Sequence, residues 1–173
     1  MNDERLDLRF IGDAILREKA APVERVDDRI RGVLREMEKI MRGESGAGLA
    51  APQVGILLRM LIFLEIKKRG ETGIVHKLIN PKIIELSEKL CRMEEGCLSV
   101  QGPGGPVFAD VDRPESAVVE YLDENGEKQT RRLSGFAARA VLHEMDHLDG
   151  ILFVDYLSSA KREMIMRKTR KRK

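Results

Sequence analysis

The stretch Ala140–Gly150, "AVLHEMDHLDG", limits the possible folds more than any other part of this sequence. Ser134 is a candidate N-cap for a helix from about Phe136 to Leu148, and Gly150 follows its expected end. Apolar residues spread around most of the circumference of this helix, which is typical of a buried helix. The pattern therefore predicts a core helix that is surrounded by other secondary structure.

Two of the three histidines in the chain lie in this helix. His143 and His147 are four residues apart and share one face, at a separation that suits one metal ion. Glu144 is rotated by about 100° from His143, which suits a general base better than a ligand. The pattern H-E-x-x-H also arises by chance, with two hydrogen-bonded histidines. Burial argues against that reading, because buried polar groups need partners.

A catalytic metal usually has three protein ligands and one open position, so a third ligand is required. Only 26 residues follow His147, and none of them is histidine. Glu163 is a candidate, but it lies in a basic segment. A cysteine is the better candidate, and Cys97 in "EEGCLSV" follows Gly96, which allows close backbone approach. Cys91 has no such neighbour, and we predict that it is a small buried apolar residue.

The Gly-rich stretch "GAGLAAPQVG", Gly46–Gly55, lacks the residues of a phosphate-binding loop. It offers exposed backbone groups near Gly48 and one side-chain amide, Gln53. An amide in such a loop can donate a hydrogen bond to a developing oxyanion.

The remaining segments predict an α+β fold, because strands precede the core helix. Asp27–Arg42 has the periodicity of an amphipathic helix. Leu58–Ile66 is typical of a buried strand, and "KLINPKII" of a strand with Pro81 at an edge or bulge. "SAVVEYLDENGEKQTRRL" predicts a hairpin with a type I′ turn at Asn125-Gly126.

The 173 residues, 42% hydrophobic and 35% charged, suggest one globular domain. The N-terminus has no apolar segment of a secretory signal, and no apolar run would span a membrane, so we expect a cytoplasmic protein. Lys161 to Lys173 contains eight basic residues and one acid. This basic segment is either a solvated helix end or a contact for an anionic partner such as RNA.

Taken together, "GAGLAAPQVG", "EGCLSV" and "HEMDHLDG" resemble the motifs of peptide deformylase. The likeness extends to "DAILREKAAPVERVDD", "INPKI" and "GILFVDYLS", and so covers most of the chain. It implies an α+β fold of antiparallel β-sheets packed around a central metal-binding helix. An N-terminal amphipathic helix and a C-terminal basic helix over 158–173 complete one catalytic domain over residues 1–173.

The resemblance implies removal of the formyl group from the N-terminal formyl-methionine of new bacterial polypeptides. Matched by position, the metal ligands are Cys97, His143 and His147, with Fe(II) expected and zinc or nickel as replacements. The catalytic groups are Glu144 as acid/base, with the Gln53 side chain and the Leu98 amide as donors to the formyl oxygen. The substrate-binding positions are Ala47, Gly48 and Gly96. The family also implies a C-terminus that contacts the ribosome.

Three departures from the family's motifs concern the shape of the site rather than its ligands. Leu142 stands where glutamine is usual, and Ala47 where a bulkier aliphatic residue is common. Residues 101–114 look like a longer Gly/Pro-rich loop.

Two other functions remain as alternatives: a metallopeptidase of the H-E-x-x-H type, with Glu163 or Cys97 as third ligand, and a non-enzymatic RNA- or ribosome-binding protein. The absence of Trp and the presence of only two Tyr weaken a base-stacking version of the latter.

Overall fold

The computed structural model describes residues 6–66 and 72–170. Within them lie three α-helices, α1 (Asp28–Gly43), α2 (Gly135–Leu148) and α3 (Ser159–Arg170). The strands are β1 (Gly48–Ala50), β2 (Met60–Glu65), β3 (Ile74–Leu86), β4 (Leu90–Glu95), β5 (Gln101–Gly102), β6 (Gly105–Pro106), β7 (Ala109–Pro114), β8 (Ser116–Leu122) and β9 (Lys128–Ser134). All strand pairs are antiparallel, so the predicted α+β class is confirmed.

The main sheet has five strands in the order β1-β2-β3-β8-β9. Its long strand β3 changes register against β8 between Ile79 and Lys82, a step that contains Pro81. Proline has no N–H to donate to a strand neighbour, so it is placed where the ladder is already interrupted. The predicted bulge at Pro81 is confirmed.

The two faces of this sheet bury two different helices. Leu61 and Phe63 of β2 pack in one core with α2, whereas Met60 and Ile62 pack in a second core with α1. Successive side chains of a strand point to opposite faces, so β2 is buried on both sides. This burial explains why its sequence is a continuous apolar run.

The ends of the helices agree with the sequence prediction to within a residue or two. The Asp27 side chain accepts a hydrogen bond from the Ile30 N–H at 3.0 Å, and α1 buries residues spaced by three or four: Ile30, Leu34, Met37 and Met41. Ser134 lies at the N-cap position of α2, although its side chain makes no capping bond. Ten of the fourteen residues of α2 are buried, as its apolar circumference predicted.

Two expectations about turns are wrong. The hairpin between β8 and β9 is present, but its turn is not type I′, because Gly126 has a positive φ (81°) and Asn125 does not. The Asp123 carboxylate instead accepts the N–H groups of Asn125 and Glu127, which favours a longer connection. Residues 101–114 are not one long loop. Gly105, at φ 105°, allows a tight β5–β6 hairpin, and β7 follows it.

The last helix, α3, is held by a narrow contact. Its start is capped by the Ser158 hydroxyl, which accepts the Lys161 N–H at 3.4 Å. Ile165 is buried in a third core with Cys97, and Leu157 is half-buried beside it. Ala160 and Met164, in contrast, are exposed on α3.

Residues 1–5, 67–71 and 171–173 lie outside the described part, and with them the last three basic residues of the tail. That residues 1–173 form a single catalytic domain stays a prediction. Within the described ranges, no helix has the length and apolar character needed to cross a membrane.

Asn80 joins the main sheet to the segment before α1, and this contact gives a stability prediction. Its side chain accepts the Val23 N–H and donates to the Val23 carbonyl, both at 2.8 Å, while its own φ is +51°. Asn80→Ala should lower the free energy of unfolding by about 3 kcal/mol. The variant loses two hydrogen bonds, and alanine tolerates a positive φ less well than asparagine does. Asn80→Gly tolerates the same φ and should lose only about 2 kcal/mol. Urea denaturation measures both, and equal losses would refute a backbone contribution.

Candidate metal centre and active site

Three residues of metal-binding type meet where β4 ends beside α2. Cys97 follows the end of β4 by two residues, and His143 and His147 lie on successive turns of α2. Their ligand atoms all lie within 4.8 Å of one another, and Cys97 Sγ is 3.3 Å from His147 Nε2. The structure therefore brings together the three predicted ligands. Cys91 lies outside this cluster and is half-buried on β4, not buried as predicted, and Glu163 is exposed on α3 and paired with Arg167.

All three residues are of types that bind a metal ion, and the 3.3 Å between Cys97 Sγ and His147 Nε2 suits two ligands of one ion. Sulfur and nitrogen ligands of a tetrahedral zinc ion lie roughly 3.5 Å apart, given bond lengths near 2.3 and 2.0 Å. Burial would lower the pKa of His143, but hydrogen bonds with Cys97 and Glu95 outweigh it and raise that pKa well above its usual value. Burial lowers the pKa of His147 well below its usual value, so this ring is neutral, the form that binds a metal ion.

The orientation of His143 is fixed by one buried carboxylate. His143 Nδ1 is 2.9 Å from Glu95 Oε2, which leaves Nε2 free to face Cys97 and His147. A hydrogen bond of this kind sets which ring nitrogen of a histidine is available to a metal.

Glu95 itself is held by two arginines. Arg113 donates to both of its oxygens, from Nε to Oε1 at 2.6 Å and from Nη2 to Oε2 at 3.0 Å, and Arg139 donates to Oε1 as well. Burial would raise the pKa of Glu95, but the hydrogen bonds from His143 and Arg113 outweigh it and lower the pKa to about 2. Glu95 is therefore ionised at any physiological pH.

Glu144 is buried as well, but one of its carboxylate oxygens makes no hydrogen bond to the part of the chain that the structure describes. Its Oε2 has no hydrogen-bond partner among the described residues. Burial raises its pKa to about 7, which is near the value expected of a group that exchanges protons at neutral pH. A Cβ at Gly48 would lie 2.5 Å from Glu144 Oε1, so only glycine fits beside this carboxylate.

Gln53 faces the same point from the Gly-rich segment. It lies in a short 3-10 turn, Ala51–Val54, and its Oε1 accepts the Ala50 N–H at 2.8 Å. This bond directs Nε2 toward Ser99 Oγ at 3.1 Å and Cys97 Sγ at 3.5 Å. The amide N–H₂ is thereby presented beside the metal-binding residues, where the sequence placed an oxyanion donor.

The residue after Cys97, Leu98, lies in a turn that lines the same cleft. The Val100 N–H donates to the Cys97 carbonyl at 3.0 Å, which closes a turn with Leu98 and Ser99 at its centre. The N–H of a central turn residue takes no part in the turn's own bond. The Leu98 amide, predicted as the second oxyanion donor, lies directly after the cysteine.

A cleft of about 260 Å³ opens over these groups. Ala47, Gly48 and Gly96, predicted to hold substrate, line it together with Cys97, Gln53, Leu98, His143 and Glu144. Two exposed aromatic rings, Phe108 and Phe136, form part of its wall. The Phe108 ring lies so close to Gly96 that a Cβ there would come within 2.4 Å of it.

Sequence reasoning missed four of the residues that organise this site: Glu95, Arg113, Arg139 and Asp146. A weak signal existed for two of them. Glu95 directly precedes Gly96-Cys97, and Arg139 is a lone charge in an otherwise apolar stretch of α2. Leu142, the noted departure beside His143, is buried in the core between α2 and the main sheet.

A sequence model of the polypeptide deformylase family matches residues 6–163.
The chain belongs to this family.
It is 40% identical over 164 residues to the peptide deformylase of Brucella suis, covering 95% of this chain and 91% of that protein. It is 45% identical over 151 residues to the peptide deformylase of Synechocystis sp., covering 87% and 78%.

Solved structures agree with this assignment. The peptide deformylase of Ehrlichia chaffeensis in complex with actinonin matches with a TM-score of 0.89 at 37% identity, covering 97% of each chain. The resemblance to peptide deformylase, and with it the prediction of an enzyme, is confirmed. Peptide deformylases are metal-dependent, which agrees with the Cys/His/His cluster. The metallopeptidase alternative is not favoured.

The contact between Gly48 and Glu144 in this deformylase gives a second prediction. Gly48→Ala should displace the Glu144 carboxylate and lower the free energy of unfolding by about 1–3 kcal/mol, because a buried methyl group overfills the space. Gly43→Ala is the control, since nothing lies within 4 Å of a Cβ there, and its effect should stay within about 0.5 kcal/mol. A crystal structure of Gly48→Ala with Glu144 unmoved would contradict the prediction.

Proposed function

We propose that this chain is a peptide deformylase that hydrolyses the N-formyl group of N-formylmethionyl nascent polypeptides and releases formate. The observation that carries the proposal is a buried Cys/His/His cluster that shares one cleft with an unpaired glutamate and a side-chain amide. Membership of the deformylase family supports the same reaction.

We assign Cys97, His143 and His147 as the ligands of one divalent metal ion. The family resemblance implies Fe(II), and the mixed sulfur and nitrogen donors also suit zinc or nickel. When bound, such an ion supplies Lewis-acid chemistry, which makes water a nucleophile near neutral pH and polarises a carbonyl oxygen.

Glu144 is the proposed acid/base. Its free oxygen accepts a proton from the attacking water, as the water oxygen forms a bond to the formyl carbon. The same carboxyl then donates this proton to the nitrogen of the breaking C–N bond, which gives formate and a free N-terminal amine. Burial raises the pKa of Glu144 to about 7, so this carboxyl can both accept and donate a proton near neutral pH.

Gln53 and Leu98 are the proposed donors to the oxygen that becomes negative when the formyl carbon turns tetrahedral. The hydrogen bond from the Ala50 N–H to Oε1 fixes the direction of the Gln53 amide, and donation to the formyl oxygen would replace its bond to Cys97 Sγ or Ser99 Oγ. One donor of this kind contributes about 3 kcal/mol to the lowering of the barrier.

Backbone groups at Ala47, Gly48 and Gly96 are proposed to hold the peptide main chain. The small residues keep this backbone accessible from the cleft that they line. The apolar side chains nearby, including Leu98 and Phe136, suit an unbranched apolar residue such as methionine after the formyl group.

The direct test is formate release from formyl-Met-Ala-Ser, compared with amino-acid release from unformylated Met-Ala-Ser. A deformylase produces formate from the first peptide and leaves the second intact. Cleavage of the second peptide without formate from the first would instead support a metallopeptidase.

The ligand assignment predicts that the two cysteines behave differently. Cys97→Ala should reduce metal affinity by at least about tenfold, because even the outer partners of a ligand contribute that much. Cys91→Ala is the control, because Cys91 lies outside the cluster. Metal analysis after dialysis against a fixed chelator concentration measures both. Full occupancy in Cys97→Ala would remove Cys97 as a ligand.

The acid/base assignment predicts that Glu144→Gln keeps the metal but loses turnover. The amide preserves the shape of the side chain and cannot accept a proton, so kcat should fall by at least about 10²-fold. Metal content and kcat are measured on the same preparation. A variant with bound metal and near wild-type kcat would exclude Glu144 from this role.

We also propose that the basic C-terminal helix contacts the ribosome, whose RNA phosphates would attract it. Lys161, Lys168 and Arg170 are exposed on α3. Binding of this type releases counterions and weakens as salt rises. The bacterial cytoplasmic location, which this partner requires, stays a prediction.

Co-sedimentation with ribosomes tests the helix contact by charge reversal. Replacing all three α3 residues with Glu should lower co-sedimentation at low salt and leave turnover of a short formyl peptide unchanged. The control carries the same change in net charge on other exposed surfaces, at Lys39, Lys89 and Lys128. Equal losses in both variants would show that only overall charge matters.

A further inference from the structure

Arg139 is a buried charge on a face of α2 that also carries a proposed ligand. Residues 139, 143 and 146 follow the i, i+4, i+7 spacing, so their side chains lie on one side of the helix. His143 contacts Glu95, and Asp146 accepts from Arg113 at 2.8 Å. This polar stripe, Arg139, His143 and Asp146, faces the end of β4 and the strand β7 paired with it.

The guanidinium of Arg139 reaches three points on that small sheet. Nη1 donates to Glu95 Oε1 and to the Val111 carbonyl, and Nη2 donates to the Cys91 carbonyl. Glu95 is the last residue of β4, and Cys97 lies two residues beyond it. Through these hydrogen bonds, Arg139 links the strand that leads to Cys97 with the helix that carries His143 and His147.

The charges show what Arg139 adds to the contact that Arg113 already makes. Arg113 is shared between two carboxylates, Glu95 and Asp146, so one net negative charge remains when the His143 ring beside Glu95 is neutral, the form that binds a metal ion. Arg139 balances that charge in a buried place, where an unpaired charge is costly. It is only 4% exposed, and its two terminal nitrogens reach the Glu95 carboxylate and two backbone carbonyls at once, which a single lysine ammonium group matches less well.

We infer that Arg139 is a positioning residue of the metal centre: by binding Glu95 and the β4–β7 sheet it fixes His143 and Cys97 relative to each other. The inference rests on the ligand set given under the proposed function. Outer partners that orient a ligand typically contribute 10–100-fold to metal affinity. Arg139 acts through Glu95 and the strand, and it is not itself a ligand.

The test is Co(II) titration of the apo-protein, followed by its visible absorption spectrum, which reports sulfur coordination and site geometry. Arg139→Met keeps the length of the stem and removes the charge, and Arg113 still pairs with Glu95. It should bind Co(II) about 10–100-fold more weakly than wild type and show altered bands. Arg139→Lys keeps the charge without the fork and should lie between the two.

The matched control is Arg132→Met, which makes the same substitution at an exposed arginine paired with Glu85 on the sheet surface. It should leave Co(II) affinity and spectrum unchanged. The melting temperature of each apo-protein separates stability from positioning. If Arg139→Met lowers only the melting temperature and binds Co(II) as wild type does, the inference is overturned.

The other outcomes are also decisive. If Arg139→Met does not fold, as judged by far-UV circular dichroism, Arg139→Lys decides, and wild-type affinity and spectrum in it overturn the inference. If wild-type protein itself shows no Co(II) band from sulfur coordination, the ligand set of the proposed function fails and this inference fails with it. If the wild-type protein shows the sulfur band and Arg139→Met binds Co(II) equally well, only the positioning role of Arg139 is overturned, and the ligand set stands.

Discussion

The arrangement of the site depends on one buried carboxylate, Glu95. An ionised carboxylate is stable inside a protein only when its oxygens accept several hydrogen bonds, and Glu95 receives them from Arg113, Arg139 and His143. These donors come from β7 and α2, while Glu95 ends β4. The need to pair one charge therefore joins three elements, and the ring of His143 takes its orientation from the same contact.

A second buried carboxylate, Glu144, lies one residue from His143 in an opposite environment. Hydrogen bonds lower the pKa of Glu95 to about 2, whereas burial raises that of Glu144 to about 7. Glu95 is thus fixed as a permanent anion that orients its neighbours, and Glu144 is free to take and return a proton. Such a division of two carboxyl groups by their surroundings supports the proposed acid/base role of Glu144.

The sequence predicted the parts of the structure that depend on local patterns. Periodicity located α1 and α2, the H-E-x-x-H spacing placed His143 and His147 on one face, and Pro81 marked the bulge. The turn at Asn125-Gly126 was misjudged because Asp123 supplies a side-chain alternative, and 101–114 because a short hairpin leaves little periodicity. Glu95, Arg113 and Arg139 meet across 44 residues of sequence, and no local pattern reports such a contact.

Cys97 connects the folding of the chain to the assembly of the site. The two histidines would share a face on any helix with this spacing, but the thiol lies 50 residues before His147 and meets it only in the folded chain. It also packs in the core that buries Ile165 of α3, so this core and the metal cluster share a residue. A cation bound by these three proposed ligands would stabilise the folded state over the unfolded one, by an amount that grows with the logarithm of the ratio of its concentration to its Kd. The arginine-bound Glu95 has the complementary effect: because it orders His143 through protein contacts alone, less of the binding free energy is spent on arranging the ligands.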